Sequence, residues 1–413
     1  MPLYTEDEKY MHRCLDLALL GKGSVAPNPM VGAVLVNNNS IIGEGFHQLY
    51  GEAHAEVNAI RHVERPELLK KASLYVNLEP CTHYGKTPPC AELIIEKNIP
   101  KVIIGTSDPN KLVAGNGMNL LRANGVEVVC GVLENECKAI NKRFFTWHLH
   151  KRPYIILKWA RSADGFIDLD RPANAPVGPN WITSPTARIL VHKWRSEEQA
   201  ILAGTNTIMK DNPRLNIRDW SGKDPLRVII DRNLKVGSHH HIFDNTQETL
   251  IFTEKLPSDE GQTAGFKTEE LTSQEMKTSW NEMVSANTKS KTADLKDKAF
   301  VPERNKICPG KIKTSGKRET TIQIKTRYAK ITFDNTAELK MLEFLYNQNI
   351  QSLIIEGGAF TLNRFIEKGL WDEARIFTGP SLFKGGVKSP EITGKSQKSQ
   401  IIGNSQLQTI YKG

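Results

Sequence analysis

The chain has 413 residues, of which 39% are hydrophobic and 24% charged, and its formal net charge is +9. This length predicts roughly two to three domains, and the composition is typical of a globular protein rather than a wholly disordered one. No apolar run approaches the roughly 20 residues that cross a bilayer, and the first residues lack the pattern of a signal peptide, so we expect a cytoplasmic protein without membrane contact.

Residues 1–150 alternate helix and strand patterns. Thr5 and Glu8 have the spacing of a capping box, at the start of a helix that apolar periodicity continues to Leu19. The remaining elements predicted in this half are strands at 31–36, 41–46, 74–78, 102–104 and 126–129 and helices at 53–63, 88–95 and 118–123. Such alternation predicts a layered α/β domain.

A second α/β pattern begins near Pro153, after a polar link at 149–152 that we interpret as the boundary between domains 1–150 and 151–413. Ser184 and Pro185 predict the N-cap and first residue of a helix that runs to about 194. The other predicted elements are strands at 154–160, 200–203, 226–231 and 353–355 and helices at 337–346 and 360–368.

Residues 257–330 differ from both halves in being polar and without a sustained period. They contain 15 Lys/Arg and 10 Asp/Glu, a net +5, which leaves only +4 for the rest of the chain. We interpret this segment as a solvated, disordered insertion, with a small helical subdomain around 271–284 as the alternative. A charge this moderate outside the insertion suits an anionic metabolite as well as a polynucleotide.

The residue types most informative about chemistry are one histidine and two cysteines, His54, Cys81 and Cys90, each placed near a predicted strand-to-helix junction. An imidazole and two thiolates can hold Zn²⁺ and leave a fourth position for water, which is typical of a catalytic rather than a structural site. Glu56, two residues after His54, is then free to move protons between water, substrate and leaving amine.

Other histidines and cysteines are interpreted as bystanders. His47 and His83 could compete as ligands, but we expect them to be solvated surface residues. Cys14, Cys130 and Cys137 are predicted to be small core residues, and Cys308 lies in the insertion.

These motifs resemble the bifunctional deaminase/reductase family of riboflavin biosynthesis. The resemblance is carried by 27–32, 54–57 and 80–90, where the eight residues between Cys81 and Cys90 distinguish this family from zinc deaminases with a two-residue spacer. It implies a cytidine-deaminase-like three-layer α/β/α domain in the first half, with Asn28 binding the sugar or ring of the substrate.

The second half resembles the family's reductase at 158–165, 181–184, 204–218 and 356–358. The resemblance implies a dihydrofolate-reductase-like α/β domain that binds NADPH through Ala160, Trp181, Thr207, Asp211 and Gly358. It also implies substrate contacts from Lys158, Arg195, Leu215, Arg218 and Glu356. Arginines can grip a phosphate with two parallel hydrogen bonds, and Gly358 before a helix lets backbone N–H groups approach a pyrophosphate.

The resemblance implies two consecutive reactions. Zinc-dependent deamination of 2,5-diamino-6-(5-phosphoribosylamino)pyrimidin-4-one is followed by reduction of the ribosyl group of 5-amino-6-(5-phosphoribosylamino)uracil to ribityl by NADPH. The partner is a small phosphorylated pyrimidine rather than a nucleic acid, and a homodimer fits the family.

Two alternatives remain open from the sequence. One is a zinc deaminase that acts on nucleic acid, with the basic C-terminal half as an RNA clamp. The other is a non-catalytic protein in which a fourth ligand closes the zinc site.

Overall fold

The structure is a computed structural model that describes residues 4–84, 88–110, 114–172, 174–257, 267–270 and 325–412. Two separate main sheets divide the chain, one built from the first half and one from the second. In the part of the chain that is described, no helix combines the length and hydropathy needed to span a membrane.

The first sheet has five strands in the order β2-β1-β3-β4-β5. Strand β1 is antiparallel to β2 and β3, whereas β3, β4 and β5 run parallel. The strands are β1 (Gly32–Asn37), β2 (Ser40–Phe46), β3 (Ser73–Leu78), β4 (Lys101–Thr106) and β5 (Glu127–Cys130). The helices of this half are α1 (Glu6–Leu19), α2 (Ala55–Arg61), α3 (Cys90–Glu96), α4 (Asn116–Ala123), α5 (Glu134–Ile140) and α6 (Lys142–His150).

Helices cover both faces of this sheet. Ala59, Ile94 and Leu121 of α2, α3 and α4 pack into one apolar cluster, and Met11 and Cys137 of α1 and α5 pack into another. The predicted three-layer α/β/α arrangement is therefore confirmed.

The second sheet has ten strands in the order β11-β12-β10-β9-β8-β13-β6-β14-β17-β16, parallel except at β14-β17 and β17-β16. Its strands are β6 (Tyr154–Arg161), β8 (Ala200–Gly204), β9 (Leu226–Ile230), β10 (Thr249–Thr253), β11 (Lys267–Glu270), β12 (Thr326–Lys330), β13 (Ser352–Ile355), β14 (Glu373–Thr378), β16 (Lys395–Ile402) and β17 (Ser405–Tyr411). Two further strands, β7 (Phe166–Asp168) and β15 (Val387–Lys388), pair with each other.

Helices α7 (Pro185–Glu197) and α8 (Thr205–Asp211) contribute to an apolar cluster separate from the one that receives α9 (Ala337–Asn347) and α10 (Ala359–Glu367). Strand β13 is inserted between β8 and β6, although it follows both in sequence. Because strand order reverses here, a crevice is expected at the carboxyl ends of these strands.

The capping box at α1 is present, because Thr5 Oγ1 accepts the N–H of Glu8 and the Glu8 carboxylate accepts the N–H of Thr5. The predicted link at 149–152 is partly wrong, since α6 continues to His150. Helices α5, α6 and α8 and strands β7, β10, β14, β15, β16 and β17 were not predicted from the sequence.

The predicted insertion is wrong at its end. Residues 326–330 form β12, which pairs with β10 and contributes buried Tyr328 and Ala329 to the two apolar clusters. Residues 267–270 form β11 beside it. The alternative subdomain at 271–284 lies outside the residues that the structure describes.

Candidate active sites

The three predicted zinc ligands come from the ends of secondary-structure elements. His54 is the N-cap residue of α2, Cys90 is the first residue of α3, and Cys81 lies just beyond β3. Proline at position 89 precedes α3, which favours a helix start at Cys90. These short connections bring side chains separated by 36 positions into contact.

The ligand atoms have the spacing of a zinc site. His54 Nδ1 lies 3.5 Å from Cys81 Sγ and 3.3 Å from Cys90 Sγ. Tetrahedral zinc with Zn–S and Zn–N bonds of about 2.3 Å and 2.0–2.1 Å would separate nitrogen and sulfur by about 3.6 Å. Among the residues described, the group contains these three donors and no fourth. The donor set therefore fits a three-ligand zinc ion.

The pKa values of the two thiols are shifted in opposite directions. Hydrogen bonds from Cys90 and then His54 lower the pKa of Cys81, whereas the hydrogen bond to Cys81 and burial raise the pKa of Cys90. A pair poised in this way loses its remaining proton when a divalent cation binds, because metal ligation requires the thiolate.

Glu56 is 3% exposed at the start of α2. Burial, and next the charge of Cys81, raise the pKa of its carboxyl, which also hydrogen-bonds the side chain of Cys90. The carboxyl group thus lies beside the ligands without belonging to them.

His47 is not a surface residue, so that prediction is wrong. It is 2% exposed, and its ring lies edge-on to His54 with centroids 5.5 Å apart. Its Nδ1 is 3.0 Å from the Ala53 carbonyl and its Nε2 is 3.0 Å from Asn28 Nδ2, so both nitrogens are occupied. The strand-like pattern around His47 gave no signal of this burial.

The remaining histidine and cysteines that were not predicted as ligands differ in their exposure. His83 is exposed as predicted. Cys14 and Cys137 are buried, but Cys130 is exposed at the end of the edge strand β5, where the core does not reach. Cys308 lies outside the described residues.

Glu79 was missed by sequence reasoning. It is buried, and its carboxylate accepts the backbone N–H groups of Asp108, Gly115, Gly117 and Met118. A glutamate at the end of an otherwise apolar strand was the available signal. It ties the start of α4 to the segment that carries Cys81.

A cavity of about 940 Å³ lies in the second half, among the residues that the structure describes. It opens at the carboxyl ends of β6, β8 and β9 and beside the residues that follow β13, which is the crevice expected from the strand order. All ten reductase residues predicted from the resemblance line it: Lys158, Ala160, Trp181, Arg195, Thr207, Asp211, Leu215, Arg218, Glu356 and Gly358.

Two of these residues form a buried ion pair. Arg195 Nε and Nη2 donate to Glu356 at 2.8 Å and 2.9 Å, and Arg195 Nη1 donates to the Asn216 carbonyl. Lys158 Nζ is 3.5 Å from the same Glu356 carboxylate. The charge of Arg195 lowers the pKa of Glu356 to about 2, against the effect of burial. Two of the Arg195 nitrogens are therefore engaged by Glu356 in this structure, and the predicted substrate contact of Arg195 stays a prediction.

Cationic groups that the sequence did not single out surround Arg218. Burial and the charges of Arg195, Arg188 and Arg214 lower the pKa of Arg218. Arg188 and Arg214, which were not predicted, also line the cavity. Arg188 also lies 4.2 Å above the ring of Trp181. This wall therefore concentrates positive charge.

Three further residues predicted to bind cofactor or substrate differ in which of their groups can reach the cavity. Leu215 is 2% exposed and packs with the apolar core, so little of its side chain can reach a ligand. Asp211 accepts a 2.7 Å hydrogen bond from Arg171. Gly358 is the N-cap of α10, and a Cβ there would lie 3.5 Å from Thr207 Oγ1.

Each half of the chain matches a known protein family. Residues 4–106 match the family model for the cytidine and deoxycytidylate deaminase zinc-binding region, and residues 153–412 match the RibD C-terminal domain. The riboflavin biosynthesis protein RibD of Aquifex aeolicus is 34% identical over 399 residues, 96% of this chain and 93% of the relative.

Two further matches cover different shares of the chain. The RibD of Actinobacillus pleuropneumoniae is 45% identical over 249 residues, 60% of this chain and 64% of the relative, so that alignment spans just under two thirds of the relative. The crystal structure of a diaminohydroxyphosphoribosylaminopyrimidine deaminase/5-amino-6-(5-phosphoribosylamino)uracil reductase from Thermotoga maritima matches with a TM-score of 0.75 and 30% identity, over 99% of both chains. The resemblance inferred from the motifs is therefore confirmed, and the chain belongs to the RibD family of bifunctional deaminase/reductase enzymes of riboflavin biosynthesis.

Proposed function

We propose that this chain catalyses two successive reactions on one phosphorylated pyrimidine. The first replaces the 2-amino group of 2,5-diamino-6-(5-phosphoribosylamino)pyrimidin-4-one by oxygen from water, with release of ammonia. The second reduces the ribosyl group of the product to ribityl. The observation that carries the proposal is the zinc-compatible spacing of His54, Cys81 and Cys90 beside a buried glutamate.

His54, Cys81 and Cys90 would hold the zinc ion. Zinc with three protein ligands activates a water molecule at neutral pH. Glu56 is close enough to Cys90 to hydrogen-bond it, which places its carboxyl group to accept a proton from water and return it to the ring and the departing amine. Burial excludes bulk water from this transfer.

In the second half, bound NADPH would supply the hydride that reduces the sugar. Gly358 and the first turn of α10 would hold its pyrophosphate, because the first backbone N–H groups of a helix have no partner within the helix. Lys158 would contact the sugar, and Glu356 keeps Lys158 and Arg195 in place through its two ion pairs. Arg218, with Arg188 and Arg214 nearby, would bind the substrate phosphate.

The nucleic-acid alternative is set aside because the C-terminal half matches a reductase domain rather than an RNA-binding one. The closed-site alternative needs a fourth protein ligand, and His47, the buried histidine beside His54, already forms a hydrogen bond through each ring nitrogen. A homodimer and a cytoplasmic location complete the proposal; sedimentation of the purified chain and cell fractionation test them.

The decisive experiment combines metal analysis with turnover of the diaminopyrimidine phosphate, with and without NADPH. We expect about one zinc per chain, ammonia release without NADPH, and NADPH oxidation only after deamination. Ammonia release by a chain stripped of zinc, or turnover of neither substrate by zinc-loaded protein, would reject the proposal.

A further inference from the structure

The segment that carries Asn28 in the deaminase half is held by a residue of the reductase half. Gln351 immediately precedes β13, is 4% exposed, and donates a 2.6 Å hydrogen bond from Nε2 to the carbonyl of Pro27. Its backbone bonds stay within its own half, because its N–H donates to Gln199 Oε1 and its C=O accepts the N–H of Tyr154. Its side chain therefore serves the contact between the two halves.

The contact continues toward the zinc ligands through hydrogen bonds. Pro27 is followed by Asn28, whose Nδ2 lies 3.0 Å from His47 Nε2. His47 Nδ1 is in turn 3.0 Å from the carbonyl of Ala53, the residue before His54. In the tautomer that satisfies both bonds, Asn28 donates to Nε2 and Nδ1–H donates to Ala53. The side-chain oxygen of Asn28 is thereby turned away from His47.

The rest of this segment is held from within the deaminase half. Asn141 accepts the N–H of Met30 and donates to its carbonyl, and Asn77 donates to the same carbonyl. These bonds fix the segment after Asn28, and Gln351 fixes it directly before. The glutamine is the reductase-half side chain that meets this segment with a hydrogen bond among the described residues.

We propose that Gln351 is a positioning residue for deamination, although it belongs to the reductase half. It holds Pro27 so that Asn28 and His47 keep the geometry in which Asn28 meets the substrate. The inference rests on the proposed function for the role of Asn28. It follows that the isolated deaminase half would bind its substrate more weakly than the whole chain does.

The test compares Gln351→Met and Gln351→Glu in the full-length chain. Methionine keeps the length but removes the donor, and glutamate places a second acceptor against the Pro27 carbonyl. A lost hydrogen bond of about 0.5–1.5 kcal/mol corresponds to roughly 2- to 10-fold. We expect the deaminase KM to rise by roughly that factor in Gln351→Met and further in Gln351→Glu, with kcat and zinc content unchanged. The reductase constants on pre-deaminated substrate should also be unchanged.

The matched control is Gln199→Met, which removes the bond to the Gln351 backbone N–H but not the bond to Pro27. An unchanged deaminase KM in both Gln351 variants would overturn the inference, as would an equal loss in both reactions. Hydrogen exchange of the 25–31 backbone gives a second readout that needs no turnover, and we expect faster exchange in both Gln351 variants. If the unmodified chain deaminates nothing, the proposed function fails, while hydrogen exchange still decides whether Gln351 holds the segment.

Discussion

The zinc site and the reductase cavity of this chain are assembled on different scales. The zinc ligands are three side chains at the ends of short connections, with their donor atoms within 4.8 Å of one another. The reductase cavity of about 940 Å³ is lined by residues from 158 to 387 and from several parallel strands. A metal ion needs a few atoms at close range, whereas a dinucleotide and a sugar phosphate need a long crevice.

The two sites also treat charge differently. At the zinc site the hydrogen bonds from Cys90 and His54 lower the pKa of Cys81, which favours the thiolate form that suits a cation. In the cavity the arginines of one wall outnumber their carboxylate partners, which suits phosphates. Each half thus carries the electrostatics of its own ligand, and variants should separate the two activities.

The largest separation is expected from Cys90→Ser. Serine is a poor zinc ligand, so the variant should lose both zinc and deamination, while NADPH oxidation on pre-deaminated substrate persists. Metal analysis and the two separate assays measure this. The control is Cys130→Ser, at an exposed position of β5. Loss of both activities in a folded variant would show that the halves depend on each other beyond positioning.

Glu56→Gln should retain zinc but lower the kcat of deamination by about 10²- to 10⁴-fold, because the amide cannot carry the proton. Ammonia release at saturating substrate measures the effect. Glu127→Gln, at an exposed position of β5, is the control. Near-normal ammonia release from the zinc-loaded variant would remove Glu56 from the reaction.

Arg218→Met should produce the opposite separation. We expect the KM of the reductase for its phosphorylated substrate to rise about 10- to 100-fold, because a charge-assisted hydrogen bond contributes about 1.5–3 kcal/mol. Deamination should be unaffected. Arg65→Met, exposed in the deaminase half, is the control. An unchanged KM would move the phosphate to another part of the cavity.

The smallest effect concerns stability and pH. Burial and the charges of Arg195 and Arg218 lower the pKa of His192 to about 4, against about 6.5 in an unfolded chain. Between these values the unfolded chain binds a proton that the folded chain does not, so the free energy of unfolding falls as the pH falls.

We expect this histidine to contribute up to about 2 kcal/mol to the loss of stability between pH 7 and pH 5. His192→Gln should flatten that dependence in urea unfolding, whereas the exposed His150→Gln should not. Identical slopes for His192→Gln and the unmodified chain would contradict the assignment.

Prediction succeeded where local chemistry decides the outcome. The α1 capping box depends on two residues three positions apart, and the predicted strands β1 and β2 depend on patterns within six or seven neighbouring residues. His54 and Glu56 could be singled out because their spacing carries chemical meaning. The predicted reductase contacts had no such signal of their own, and they rest on resemblance to a family.

Prediction failed where distant parts of the chain meet. Residues 326–330 are polar enough to resemble the insertion, yet their pairing with β10 buries Tyr328 and Ala329. No pattern in the sequence indicated that Arg195 pairs with Glu356, a residue 161 positions away. His47 is buried because Asn28 and the Ala53 carbonyl enclose it.

From the sequence alone came the two-part α/β organisation, the zinc-ligand types and the family, because periodicity, caps and short motifs act over a few neighbouring residues. Only the tertiary structure decided the insertion of β13 between β8 and β6, the pairing of Arg195 with Glu356, and the contact between Gln351 and Pro27. Those features depend on which distant segments lie side by side in the folded chain. The spacing of residues in the sequence does not tell how close two such segments come in space.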